Sequence, residues 1–364
     1  MNRPGARVAT PEPSGSPPAT LPFDAPAGRR AVRVILFALG LGALVAMLAA
    51  IGWKPIAANL AQIDGWFFAL VLLYALPQLS FAAGWWSLLG ARPRPVSFGA
   101  LFAAYLAGDS VNYVTTVGGE PVKAQLLKES LGFSRAFAAV AVHRHADVLA
   151  QWLFLMVGVG VALTRFSLPL AARLSASGGL LVFGGLLLWL TLGLRRGAFR
   201  PFVAWLGRFR PLGARMAALD GKAELLDARI REFYADGANA SFWIAVAWGL
   251  AGWCGGLLET YIVLKLLAPS SDWAAAFTVE SLSMIANTLL LFVPARVGTA
   301  EGIRAGVTIL VGLTPAQGVA YGLVRRAREL LWVLPGAIVL LKHHLLGIGI
   351  LRLSRPPLER GARG

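Results

Sequence analysis

Long apolar runs, separated by short basic or polar stretches, make up most of the chain, and their lengths predict its elements. Six of them approach or exceed the roughly 20 residues a helix needs to cross the hydrocarbon of a bilayer: 32–52, 66–89, 137–163, 178–194, 242–266 and 318–341. The period-two alternation of a barrel strand is missing from all six. The predicted fold class is therefore all-α, a polytopic transmembrane helical bundle.

Two further stretches, 97–131 and 275–312, are apolar but interrupted. In each, an apolar arm ends at a helix breaker, a glutamate follows, and a short helix is predicted: 121–131 before Gly132, and 300–310 before Gly312. The glutamates lie in Gly118-Gly119-Glu120-Pro121-Val122-Lys123 and in Gly298-Thr299-Ala300-Glu301-Gly302-Ile303-Arg304. Each unit leads to a span that opens with charge, first at His143-Arg144-His145-Ala146-Asp147 and then at Arg325-Arg326-Ala327-Arg328-Glu329. Glu120 and Asp147 are 27 positions apart, Glu301 and Glu329 28, so the two units share an internal ruler and predict a repeat.

Charge placement orients the chain. The loop over 195–240 holds nine Lys or Arg, which belong on the cytoplasmic side. Reading 97–131 as a single crossing would put that loop outside. Reading it as a re-entrant hairpin that enters and leaves on the cytoplasmic side restores the rule, and then 275–312 opens on the outer face. Inner segments then carry 24 Lys or Arg against Lys54, Arg165 and Arg173 outside. Six crossings, two opposed re-entrant hairpins and cytoplasmic termini form an inverted internal repeat, the usual ground plan of secondary transporters.

Composition narrows the function. With 57% hydrophobic and 14% charged residues and a mean hydropathy of +0.65, the chain has more apolar surface than a soluble fold of 364 residues can bury. The net charge of +16 lies between spans without a base-stacking aromatic pattern, so it reads as topology and attraction to anionic lipid, not nucleic acid. Cys254 is the only cysteine, which excludes a disulfide frame and a thiolate metal site. His143 and His145 diverge on a helix and no second cluster supplies ligands, so no metal is expected. With no Gly-rich phosphate loop and no nucleophile elbow, no cofactor or catalytic residue is expected either. The predicted organisation is a disordered Pro-rich cytoplasmic tail (1–30), a transmembrane lipid-handling domain (31–345) with a cytoplasmic amphipathic and basic segment (195–240), and a basic cytoplasmic tail (346–364).

An ionised side chain at the bilayer centre costs at least about 2.5–3.5 kcal/mol, so the intramembrane charges are the candidate site. They are Glu120, Lys123, Glu301, Arg304, Arg325, Arg326, Arg328, Glu329, Arg144 and Asp147. Lys123 and Arg304 each follow their glutamate by three, on one helix face, as neutralising ion pairs or as the walls of a headgroup cavity. Arginine is also the side chain best shaped for bidentate phosphate binding. Asp109, Asn112, Asn287 and Arg296 are candidate cavity-lining residues.

These motifs resemble a known family, the flippase-like membrane proteins that share the transmembrane region of lysylphosphatidylglycerol synthase. The resemblance is carried by the Gly-Gly-Glu-Pro-x-Lys stretch at 118–123, by Val293-Pro294-Ala295-Arg296-Val297-Gly298-Thr299-Ala300-Glu301-Gly302, and by Arg325-Arg326-Ala327-Arg328-Glu329-Leu330-Leu331-Trp332, which is similar to a subgroup associated with hopanoid biosynthesis. It covers about 32–345. It implies movement or handling of a lipid at the inner membrane, with hopanoid as the subgroup's cargo. Together with the charged hairpins, the leading expectation is a lipid translocase of the bacterial inner membrane, with hopanoid or anionic phospholipid and the bilayer as partners and lipid-synthesis enzymes as further candidates. It does not imply aminoacyl transfer, which the synthases carry in an additional soluble domain, whereas here 346–364 follow the last span. The alternatives are a membrane-embedded lipid-modifying transferase and a non-transporting scaffold for lipid-synthesis enzymes.

The orientation is tested by single cysteines placed at Gly132 and Gly312 in a Cys254→Ala background. Gly132 is expected to label only from the cytoplasm and Gly312 only from the opposite side. The reverse pattern rules out the two hairpins as drawn.

Overall fold

A computed structural model describes residue 42 and residues 45–89, 96–115, 118–197, 199–209, 216–217, 220–235, 239–289 and 298–346. The expected tails and Arg296 lie outside the described residues, apart from Leu346 at the start of the second tail, as does most of the first run, of which 42 and 45–51 are helical. Every regular element among the described residues is a helix: α1 Trp53–Ala61, α2 Trp66–Leu73, α3 Ala75–Ser87, α4 Phe98–Thr115, α5 Gly119–Leu126, α6 Lys128–Leu131, α7 Phe133–Arg165, α8 Leu170–Arg196, α9 Phe199–Gly207, α10 Asp220–Ala235, α11 Asn239–Leu267, α12 Trp273–Leu289, α13 Thr299–Leu310 and α14 Pro315–Leu346.

The fold class is the all-helical one the apolar runs predicted. Trp66–Ser87, Phe133–Arg165, Leu170–Leu194 and Ala240–Leu267 are long and apolar enough to cross a membrane. The run from 66 to 89 is not one straight helix. Pro77 has no N–H to return to Leu73, and the chain divides into α2 and α3 at Tyr74. The run from 178 starts eight residues earlier, behind Pro169, because the polar opening of α8 is helical too. The last run lies inside α14, whose 32 residues suffice to span but whose centre carries Arg325, Arg326, Arg328 and Glu329.

Both interrupted stretches fold as a longer helix, a break and a short helix. Gly118 (φ 146°) precedes α5 and Gly298 (φ 76°) precedes α13, conformations that a residue with a Cβ rarely adopts. At a rise of 1.5 Å per residue, α5 is about 12 Å long and α13 about 18 Å, well short of the roughly 30 Å hydrocarbon thickness. Backbone contact holds the first short helix in place. A Cβ on Gly119 would stand 2.0 Å from the Gly108 carbonyl oxygen, so only glycine lets α5 lie this close along α4.

Packing crosses between the two stretches. The long helix α7 carries α5 and also α12, while α14 carries α13 and also α4. At the α4–α14 crossing a Cβ on Gly336 would fall 2.1 Å from the Leu106 carbonyl oxygen, and the Ser110 hydroxyl lies within 2.9 Å of the Leu106 oxygen and 2.8 Å of the Val333 oxygen. Trp85, Leu101, Ala104 and Leu127 form one apolar core beside this crossing. Leu155, Val159, Leu264, Val279 and Tyr321 form another between α7, α11, α12 and α14. α3 and α11 pack along each other and close the bundle.

The charged pattern near 220–232 is helix α10, and it positions α9. The Asp227 carboxylate accepts the backbone N–H groups of Phe199 (3.0 Å) and Arg200 (2.9 Å), donors that the first turn of α9 leaves without a helical partner. Arg200 pairs with Asp220 (3.4 Å) and Glu224 (3.5 Å). The stacked rings of Phe202 and Trp205, with Phe209 edge-on to Trp205, then face outward as an exposed apolar ridge, as an interfacial helix requires.

A peptide covering 199–215 is expected to become helical on anionic vesicles and to remain unstructured on neutral ones, since each Lys or Arg near an anionic surface contributes about 1 kcal/mol. Equal helicity on both, read by circular dichroism, removes the electrostatic part and leaves the aromatic ridge as the anchor.

Candidate functional site

The charges near the middle of α14 are not distributed to solvent. Arg328 donates two hydrogen bonds to Glu259 of α11 (2.8 and 2.7 Å), with both side chains 1% exposed, and its guanidinium lies 3.5 Å from the centre of the Tyr74 ring. This bidentate geometry is what the guanidinium fork matches best. Arg325 pairs with Glu280 of α12 and also donates to Thr260 (2.8 Å) and Tyr321 (2.8 Å). Arg326 pairs with Glu301 of α13, lies 3.7 Å from Glu329 and donates to the Tyr113 hydroxyl of α4. Arg304 of α13 donates to Glu329 at 2.6 Å.

The pairing within each short helix expected from spacing does not form. Glu301 turns away from Arg304, because its second oxygen accepts the Gly298 N–H at 2.7 Å and caps the start of α13 while the first takes Arg326. In the first stretch Asn112 accepts the Gly119 N–H (2.8 Å) and donates to Glu120 (3.0 Å), so α4 supplies the clamp on α5. Lys123 is buried with its ammonium 4.7 Å from the centre of the Tyr105 ring, and no ion pair joins it to Glu120 among the described residues. Arg144 pairs with Asp147 at 2.8 Å while remaining half-exposed.

Tyr74, Asp109, Asn112, Tyr113, Asn287, Ala300, Arg304, Arg326 and Glu329 surround a cavity of about 250 Å³. The walls come from the α2–α3 junction, α4, α12, α13 and α14, so both interrupted stretches contribute. One Arg304 nitrogen and the Asn287 side-chain oxygen are buried without a partner. Beside this cavity lies a mainly apolar recess of about 500 Å³ lined by Leu60, Ile63, Phe67, Leu323, Val324, Ala327 and Leu330, with Asp64 and Arg326 as its charged residues. Arg326 borders both.

Six of the sequence-derived candidates thus converge on one cavity: Asp109, Asn112, Asn287, Arg304, Arg326 and Glu329. Arg325 and Arg328 stand behind it in closed pairs, and Arg144 with Asp147 forms a separate pair. Sequence reasoning missed Glu259, Glu280, Tyr74 and Tyr113. The signal for the two glutamates was available, since each is a lone acid within an otherwise apolar run and must therefore meet a cation. His143 is buried beside Trp85, and both ring nitrogens of His145 are bonded, to Tyr234 (2.6 Å) and Thr191 (2.9 Å). They tie α7 to its neighbours.

Apolar spanning helices around a paired ionic interior define a polytopic membrane protein whose polar groups are turned inward. A family model described as the lysylphosphatidylglycerol synthase TM region matches residues 32–336, and the chain belongs to that family. No curated protein and no solved structure is significantly similar to it.

Behind the cavity Arg325 and Arg328 are each closed off by an acid. Arg328→Met alone is expected to destabilise by about 3–5 kcal/mol, because Glu259 is left as an uncompensated buried charge. Adding Glu259→Leu removes that charge and is expected to restore most of the loss in thermal unfolding in detergent. A double variant as unstable as the single one contradicts this assignment.

Proposed function

We propose that the protein is a lipid translocase, in which a headgroup occupies the polar cavity and the hydrocarbon portion stays in the adjoining apolar recess. The observation that carries this reading is the shared border at Arg326. A polar pocket opening beside an apolar one is the shape of an amphiphile, and an arginine between them can hold a headgroup while its stem lies along the tail. Arg304 and Asn287, each with one buried side-chain atom that lacks a partner, add a donor and an acceptor to the residues lining this cavity.

Two short helices that cannot span, each behind a glycine break and each packed on a long helix, support the inverted, re-entrant arrangement. In that arrangement one half rocks against the other and the cavity faces each side in turn. The distribution of Lys and Arg supports a bacterial inner-membrane orientation with cytoplasmic termini. The similarity of the Arg325–Trp332 segment to the hopanoid-associated subgroup makes hopanoid the first cargo to assay, followed by anionic phospholipid. The family's name also connects it with lipid modification. Transport is favoured here because the cavity walls hold paired arginines and carboxylates beside a recess for a tail.

The test uses full-length protein in vesicles with headgroup-labelled lipid. Arg304→Gln removes the orphaned donor, and Ala327→Trp fills the recess from an exposed position on α14. Each is expected to reduce lipid movement at least about tenfold, as loss of about 1.4 kcal/mol of transition-state contact would, with little change in thermal stability for Ala327→Trp. Undiminished movement by both well-folded variants refutes the reading.

A further inference from the structure

Asp109 differs from the other acids near the cavity. Glu329 and Glu301 each meet an arginine, whereas no cation stands at ion-pair distance from Asp109 among the described residues. Among the described residues its carboxylate accepts one hydrogen bond, from the Gln78 amide of α3 at 3.4 Å, long for such a contact. Lys123 apart, the charged groups around it are already engaged by polar partners. On α5, Lys123 lies over the Tyr105 ring and Glu120 accepts from Asn112. On α7, Arg144 is held by Asp147. Across the cavity, Arg304 is bound to Glu329 and Arg326 to Glu301, and the remaining neighbours are the Tyr74 and Tyr113 hydroxyl groups.

An ionised carboxylate withdrawn from bulk water without a cation is strongly disfavoured and becomes neutral instead. Asp109 also lines the cavity, so water entering there can reach it. We propose that Asp109 is a proton-binding site. Its carboxylate takes one proton from hydronium in the cavity, releasing water, and returns that proton to water when movement of α4 against α5 and α3 brings a cation within reach. Lys123 is the nearest candidate, since its stem lies against Gly108, one residue away. One unit of cavity charge then changes with each movement of the first interrupted stretch. Coupling of that proton to headgroup transfer rests on the translocase reading, but the proton site itself does not.

Infrared spectroscopy of the full-length protein in lipid nanodiscs tests it directly. A protonated-carboxyl stretch is expected to persist well above the pH at which ordinary aspartic acids ionise, to shift when aspartate carboxyls are isotopically labelled, and to vanish in Asp109→Asn. Gln78→Leu removes the hydrogen bond to Asp109 without touching the carboxyl group, and is expected to move the same band. The proposal is overturned if the wild-type protein lacks the band, if labelling leaves it in place, or if it survives Asp109→Asn unchanged. A band that behaves as expected in protein that moves no labelled lipid upholds the proton site and sinks the translocase reading. Lipid movement without the band does the reverse.

Discussion

A guanidinium group in the middle of a membrane protein has to be met on arrival, and α14 presents three of them within four positions. That constraint shapes the second half of the molecule. Each arginine points in a different direction around the helix, so three different helices must each bring an acid: α11 with Glu259, α12 with Glu280 and α13 with Glu301. The arrangement fixes where those helices lie against α14. It also separates the arginines by task. Those facing α11 and α12 are enclosed by their acids and by Tyr74, Thr260 and Tyr321, while the one facing α13 borders open space. Buried pairs of this kind add little net stability over apolar packing, but removing one partner is severe, so they hold position more than they hold energy.

The cavity follows from the same geometry. Its walls are the ends of elements that each have a separate reason to be there: α13 because its N-terminus is capped by Glu301, α4 because glycine and serine let it approach α14, and the α2–α3 junction because Pro77 interrupts a helical hydrogen bond. The polar groups that remain are those whose partners were assigned elsewhere or left incomplete. The adjoining recess is mainly apolar because α1 and α2 reach α14 through Leu60, Ile63 and Phe67.

Much of this was legible in the sequence. Apolar run length gave the helices, and isolated glutamates next to glycine marked the breaks at 118 and 298. Arg304, Arg326 and Glu329 were picked out by treating charge in an apolar stretch as functional, and Asp109, Asn112 and Asn287 as polar candidates for a cavity wall; that these six meet in one cavity is visible only in the fold. The partners were not legible. Spacing of three residues put Glu301 with Arg304 and Glu120 with Lys123, yet a carboxylate at the first turn of a helix is drawn to that helix's own free N–H groups and to whatever cation crosses nearby. Crossing angles decide the second of these, and no local spacing encodes them. Glu259 and Glu280 were overlooked for a related reason. Neither belongs to a motif; each stands as a lone acid in an apolar run, which calls for a cation but does not say which, and the arginines of α14 supply the answer only in the fold.

The crossed packing of α4 on α14 and α12 on α7 has a consequence for biosynthesis. A ribosome delivers α4 long before α14, so the face bearing Tyr113 and Ser110 enters the membrane with its final neighbour still unmade. The newly inserted α4 must be sheltered meanwhile by water, by lipid headgroups or by the insertion machinery. When α14 emerges it supplies the missing neighbour of α4 as well as of α13.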